Sequence, residues 1–255
     1  MRSLRCLVFS PLTGLYKSYF QRIIVAAQIL EEFTHMRKLP LFPLSTVLFP
    51  GMPLTLHIFE DRYKLLIGHC LAEKRPFGVL LLQEGTPEYH VGQKVVTYRI
   101  GCTAEITQVQ PVSLGRMNIL AFGKDRFNVM AFDHSEPYLV GDVDFLQLEP
   151  PEDSAHLAQS IRLLTNRIMR YLDLSQKAEN KSAVVSDLPE DPIELAYFGA
   201  SLLKIDSERK QALLEEDHAD KLVNTVSNQY RKEVTLLSMM LQDHTAESNS
   251  TFSLN

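Results

Sequence analysis

The sequence predicts an α+β protein: a curled antiparallel sheet or partly open barrel carrying one helix, followed by an α-helical bundle. Two observations carry this. Of 11 glycines and 13 prolines in 255 residues, nine glycines lie between Gly51 and Gly141 and ten prolines between Pro40 and Pro151, while the chain beyond has one glycine and two prolines. Gly and Pro supply the turns that a many-stranded region needs and break helices, so the composition shift near Pro150-Pro151 marks a boundary. Before it, apolar residues alternate; after it, they recur every three to four positions.

Residues 1–37 are read as an N-terminal extension. Its apolar run, Ile23 to Ala27 with Ile29 and Leu30, is far shorter than the roughly 20 residues that cross a bilayer. Arg2, Arg5, Lys17 and Arg22 with no acid before Glu31 leave an organelle transit segment open beside the plainer readings, an over-extended start before Met36 or a loosely attached helix. Residues 38–150 form the β-rich part. Leu44 to Phe49 and Leu54 to Phe59 flank the turn signal Pro50-Gly51-Met52-Pro53. Tyr63, Leu66, Ile67 and Cys70 then fall at helical spacing, stopped at Arg75-Pro76 because a residue before proline avoids the α region. Strands follow at Phe77 to Leu82, Val95 to Val109, Arg116 to Phe122, Arg126 to Phe132 and Tyr138 to Leu148, with Ser113-Leu114-Gly115 and Gly123-Lys124-Asp125 read as turns.

Residues 151–243 form the bundle. Leu157, Ile161, Leu164 and Ile168 make one apolar stripe, and Val223, Val226, Tyr230, Val234, Leu237 and Leu241 another. Asp191-Pro192-Ile193-Glu194 places a capping acceptor, a proline and a carboxylate in the first turn of a helix, and Asp206 caps the next, through about Glu216. Lys177 to Pro189 reads as an exposed connection and residues 244–255 as a disordered polar tail.

A net charge of -5 gives no general attraction to phosphate backbones or anionic lipid, so neither nucleic acid nor membrane is an expected partner. Three scattered cysteines without C-x-x-C fit a reducing, cytoplasmic setting. No G-x-x-x-x-G-K-[ST], G-x-G-x-x-G, H-E-x-x-H or G-x-S-x-G occurs, so no cofactor, metal or catalytic residue is assigned. Ser201-Leu202-Leu203-Lys204 matches S-x-x-K, in which a lysine one helical turn away activates a serine; the segment also reads as a plain amphipathic helix.

Leu39-Pro40-Leu41-Phe42-Pro43-Leu44, Val47-Leu48-Phe49-Pro50-Gly51, Leu56-His57-Ile58-Phe59-Glu60 and Arg62-Tyr63 closely resemble the opening of the Lon protease N-terminal (substrate-binding) domain, in the form of bacterial proteins with this domain alone. Matches continue through Arg75-Pro76-Phe77-Gly78-Val79, Ile100-Gly101-Cys102-Thr103-Ala104, Gly123 with Arg126-Phe127, Glu136-Pro137-Tyr138 and Gln211-Ala212-Leu213-Leu214-Glu215. The resemblance implies a PUA-like β subdomain and a helical bundle acting as a non-enzymatic recognition module for unfolded or tagged polypeptides, as an adaptor to a separate ATP-dependent protease or chaperone. Carried over as binding residues are Phe42, Pro43, Phe49, Pro50, Gly51, Phe59, Arg62, Tyr63, Arg126, Phe127, Pro137 and Tyr138. The alternatives are an RNA-binding PUA-like module and a cryptic serine hydrolase using Ser201 and Lys204.

Overall fold

The computed structural model describes residues 38–84, 96–150, 154–179 and 188–251; the N-terminal extension lies outside them. The strands are β1 (Lys38–Leu44), β2 (Pro53–Ile58), β3 (Phe77–Glu84), β4 (Val96–Thr97), β5 (Ile100–Pro111), β6 (Met117–Asp133) and β7 (Leu139–Leu146). The helices are α1 (Asp61–Glu73), α2 (Ser154–Glu179), α3 (Pro192–Leu202), α4 (Ser207–Leu214) and α5 (Ala219–Thr251). The α+β class is as the sequence predicts.

Five strands close a barrel in the order β1-β7-β6-β5-β3 and back to β1. The closing pair, β1 with β3, is parallel, with Leu41 opposite Gly78 and Leu44 opposite Leu81, whereas the other pairings are antiparallel. The exception follows from the connection: β2 and α1 intervene between β1 and β3, and a crossover of that length returns the chain in the same direction. β4 extends the sheet beyond β3, and β2 pairs with the first part of β6.

Three strand assignments differ from the sequence reading; one is that Val95 to Val109 is not a single strand but β4 and β5, parted at Tyr98-Arg99. The first strand is Lys38–Leu44, and 45–49 are irregular. Pro40 and Pro43 argue locally against a strand, but β1 changes partner at Leu41, from β7 to β3, so each proline sits in only a short ladder. Gly123-Lys124-Asp125 is not a turn: β6 runs unbroken through it. The Gly51 N–H donates to the Gly123 carbonyl at 2.8 Å and the Gly123 N–H to that of Met52 at 2.9 Å. This glycine serves a close approach of two backbones. Gly51, at φ +76°, makes the predicted turn.

Three cores hold the chain together. α1 lays Tyr63, Leu66, Ile67 and Cys70 over Phe42, Ile58, Phe77, Ile119 and Ala121. Leu39, Leu41, Leu80, Phe127, Val129 and Val143 form a second cluster. The third packs Leu164, Ile168 and Tyr171 of α2, Leu195 and Ala196 of α3 and Val223, Val226 and Tyr230 of α5 around Phe49 from the β1–β2 connection. Asp191 Oδ1 accepts from the Ile193 and Glu194 N–H groups, both at 2.9 Å, and Asp206 Oδ1 from that of Arg209 at 2.8 Å, as the capping signals predict. The Tyr230 hydroxyl donates to the Gly199 carbonyl at 2.8 Å, tying α5 to α3. α5 continues to Thr251, past the end at residue 243 that the sequence predicts. Once a helix is nucleated, each further residue adds a hydrogen bond at little cost, so a polar stretch without Gly or Pro can prolong it; residues 252–255 lie outside the description.

Candidate functional site

A groove of about 1150 Å³ opens against the barrel. Its walls come from the end of β1 (Pro43), the start of α1 (Glu60 to Tyr63), the β3–β4–β5 edge (Gln83 and Val96 to Arg99) and the β6–β7 connection (Phe132, His134 and Glu136 to Leu139). Five of the twelve expected site residues meet here: Pro43, Arg62, Tyr63, Pro137 and Tyr138.

Three of these side chains, Arg62, Tyr63 and Tyr138, are fixed by their neighbours. Tyr63 stacks on Phe42 with ring centroids 3.8 Å apart and planes 11° from parallel. Arg62 covers the Tyr63 ring at 4.3 Å, and its Nε and Nη2 both reach Glu60 Oε2 at 2.8 Å, giving the predicted arginine a carboxylate partner. Burial pushes the Tyr63 hydroxyl up to about 12, against the pull of Arg62, so it is neutral at ordinary pH and available as a donor. The Tyr138 hydroxyl lies 2.7 Å from His69 Nδ1 on α1; desolvation, then the charge of Glu136, raises its pKa. Across the groove, Arg99 Nη1 donates to the carbonyls of Val129 at 2.9 Å and Met130 at 3.2 Å, and its guanidinium lies 5.9 Å from the centre of the Phe132 ring. Apolar walls with a few fixed polar groups can hold an extended chain segment and orient it.

The other expected residues do other work. Phe42 lies beneath Tyr63 and forms part of the barrel core rather than a contact surface. Phe49 is 1% exposed within the helical core, and Phe127 is sealed in the barrel. Pro50 and Gly51 make the turn that docks on Gly123. Arg126, 3% exposed, donates from Nη1 to the carbonyls of Leu214 at 2.8 Å and Glu216 at 2.6 Å, joining β6 to the segment between α4 and α5. Phe59 is 50% exposed and stacks beside His57 outside the groove. All of these except Phe59 are held in the fold itself. Motif matching cannot separate such residues from those that line the groove.

Tyr98, Arg99, Phe132 and His134 line the groove but were not singled out from the sequence. The one available signal is Tyr98-Arg99 just before the strand that opens with Ile100-Gly101, an aromatic–cation pair at a strand entrance. Ser201 does not form the serine–lysine pair. Its hydroxyl donates to the Phe198 carbonyl of its own helix at 2.7 Å, and α3 ends at Leu202, before Lys204. Among the described residues no cluster of three or more His, Cys, Asp or Glu could hold a metal ion, and no helix is long and apolar enough to cross a membrane.

Residues 38–229 match the family model of the ATP-dependent protease La (LON) substrate-binding domain. The chain is 26% identical to a Lon protease of Desulforamulus reducens over 77% of this chain and 24% of that protein. It is 28% identical to a Lon protease of Brevibacillus choshinensis over 80% and 25%. The chain therefore spans about a quarter of the length of these relatives. Its fold is similar to the N-terminal domain of Mycobacterium avium complex Lon protease, with a TM-score of 0.54 at 17% identity over 76% of this chain and 98% of that one. It is also similar to a Lon N-terminal domain protein from Xanthomonas campestris, with a TM-score of 0.50 at 22% identity over 74% and 96%.

Proposed function

The chain belongs to the ATP-dependent protease La (LON) substrate-binding domain family, and from that premise we propose that it is a non-catalytic recognition module for unfolded or tagged polypeptide segments, which it holds in the groove beside Tyr63 and Tyr138. A module of this kind hands its client to a separate ATP-dependent protease or chaperone. The observation that carries the reading is the convergence of Pro43, Arg62, Tyr63, Pro137 and Tyr138, from three separated stretches of sequence, on one groove that also exposes Tyr98 and Phe132. An extended segment has its entropy cost of ordering offset by aromatic contacts on walls that are already fixed.

Fluorescence anisotropy with a labelled, permanently unfolded model protein such as β-casein tests this. Saturable binding is expected, weakened about tenfold by Tyr98→Ser, with the urea midpoint of the variant unchanged. Absence of saturable binding, or binding indifferent to Tyr98, would sink it.

A further inference from the structure

Charge within the groove is unevenly neutralised. Glu60 is held by Arg62, and Asp61 by Lys64 at 2.9 Å. Two groups remain without an ionic partner among the described residues: Arg99 beside Phe132, and Glu136 near Tyr138. Arg99 is exposed but not loose. One of its nitrogens is fixed by the carbonyls of Val129 and Met130, which neutralise none of its charge, and the plane lies near an aromatic ring. A guanidinium held in this way keeps its remaining N–H donors in a planar fork that matches a carboxylate, and the rotamer entropy of placing it has been spent in the fold.

We infer that Arg99 is the anchor for a carboxylate on the extended segment that occupies the groove, so that the module prefers peptides carrying an acidic group beside apolar residues. The inference rests on the groove being the polypeptide site. Charge complementarity selects this occupant: a carboxylate gains its partner at Arg99, whereas placed near Tyr138 it meets the like charge of Glu136. The carboxylate has two possible sources, an Asp or Glu side chain or the C-terminus of the client.

Three versions of one short labelled unstructured peptide separate these cases: free C-terminus without acidic residues, the same peptide C-terminally amidated, and the amidated peptide with one internal Asp. Binding is measured by anisotropy to the full chain and to Arg99→Gln. The expected result is that one acidic version binds the unaltered protein about tenfold more tightly than the neutral amide. That advantage vanishes in Arg99→Gln and falls with added sodium chloride in the unaltered protein. The version that holds the advantage identifies the source. If the three peptides bind equally well, or if Arg99→Gln weakens them by one common factor, the carboxylate anchor is wrong while the groove stands. If none binds, the groove reading itself has failed. The salt dependence is read without any substitution, so an acidic-peptide advantage indifferent to salt overturns the ionic anchor even where Arg99→Gln disturbs the Val129 and Met130 carbonyls.

Discussion

The carbonyl of Phe49 lies directly over the α-carbon of Gly123, so close that a Cβ at this position would overlap it. The contact locks the β1–β2 connection onto the middle of β6, where the Gly51 and Gly123 N–H groups complete the backbone bonding. It also aims the Phe49 ring into the helical core, 5.9 Å from the centre of the Tyr197 ring. Gly123→Ala cannot be relieved by a rotamer change, because the obstacle is backbone. We expect a loss of about 3 kcal/mol, read as a fall in the urea midpoint. A variant as stable as the parent would mean that the connection does not dock on β6 in this way.

Arg126 is expected to be equally intolerant for a different reason. Arg126→Met preserves the aliphatic packing but strips the carbonyls of Leu214 and Glu216 of their charged donor inside a closed interface. Leaving these carbonyls without their charged donor costs about 1 to 3 kcal/mol each. Amide exchange should quicken first between α4 and α5, where the acceptors lie. Arg126→Lys should recover little, since a lysine has one nitrogen and cannot also reach the Gln147 carbonyl and Asp217, which the second guanidinium nitrogen of Arg126 contacts. Uniform loss of protection across the molecule would argue against a local staple.

Local signals in the sequence led to local structure. The Asp191-Pro192 and Asp206 caps, α1 with its stop before Arg75-Pro76, and the stripes of α2 and α5 stand where their patterns place them. What depends on distant pairing was not legible. Gly123-Lys124-Asp125 has the composition of a turn, and only the approach of the Phe49 carbonyl explains why glycine stands mid-strand. The parallel closure of β1 on β3 leaves no periodic trace, because β1 is interrupted by prolines. The groove draws on segments more than fifty residues apart, so family motifs could find its floor at Arg62-Tyr63 and Pro137-Tyr138. They had no means to distinguish those from Arg126-Phe127, which hold the fold together.

Alkaline pH should destabilise the chain before it affects a small exposed peptide. Burial raises the Cys70 and Cys102 thiols from 9.0 to about 12, and Tyr63 and Tyr197 from 10.0 to about 12. In each case the folded state favours the protonated form, so between about pH 9 and 12 the unfolded chain binds fewer protons than the folded one. Stability is therefore complete below about pH 9 and declines as pH rises towards 12. Urea midpoints measured from about pH 8 to 11 check this. The same burial predicts that both thiols react with iodoacetamide only as fast as the protein unfolds. Rapid native labelling of Cys70 or Cys102, or a flat alkaline limb, would contradict it.

Phe49 and Phe59, ten residues apart in the stretch that carries the family resemblance, should respond differently to the same substitution. Phe49→Ser empties a site surrounded by Tyr197 and the helical core and leaves a hydroxyl among apolar groups; about 3 to 5 kcal/mol should be lost. Phe59 is half exposed and stacks beside His57, and Phe59→Ser should change stability by about 0.5 kcal/mol or less. Because Phe59 lies outside the groove, the variant should also bind the unfolded model protein as the parent does. Phe49→Ser would lose binding only as the fold is lost, so a ligand-binding test on that variant reports packing alone. Weakened binding in a fully folded Phe59→Ser protein would move the recognition surface from the groove to the β2 face.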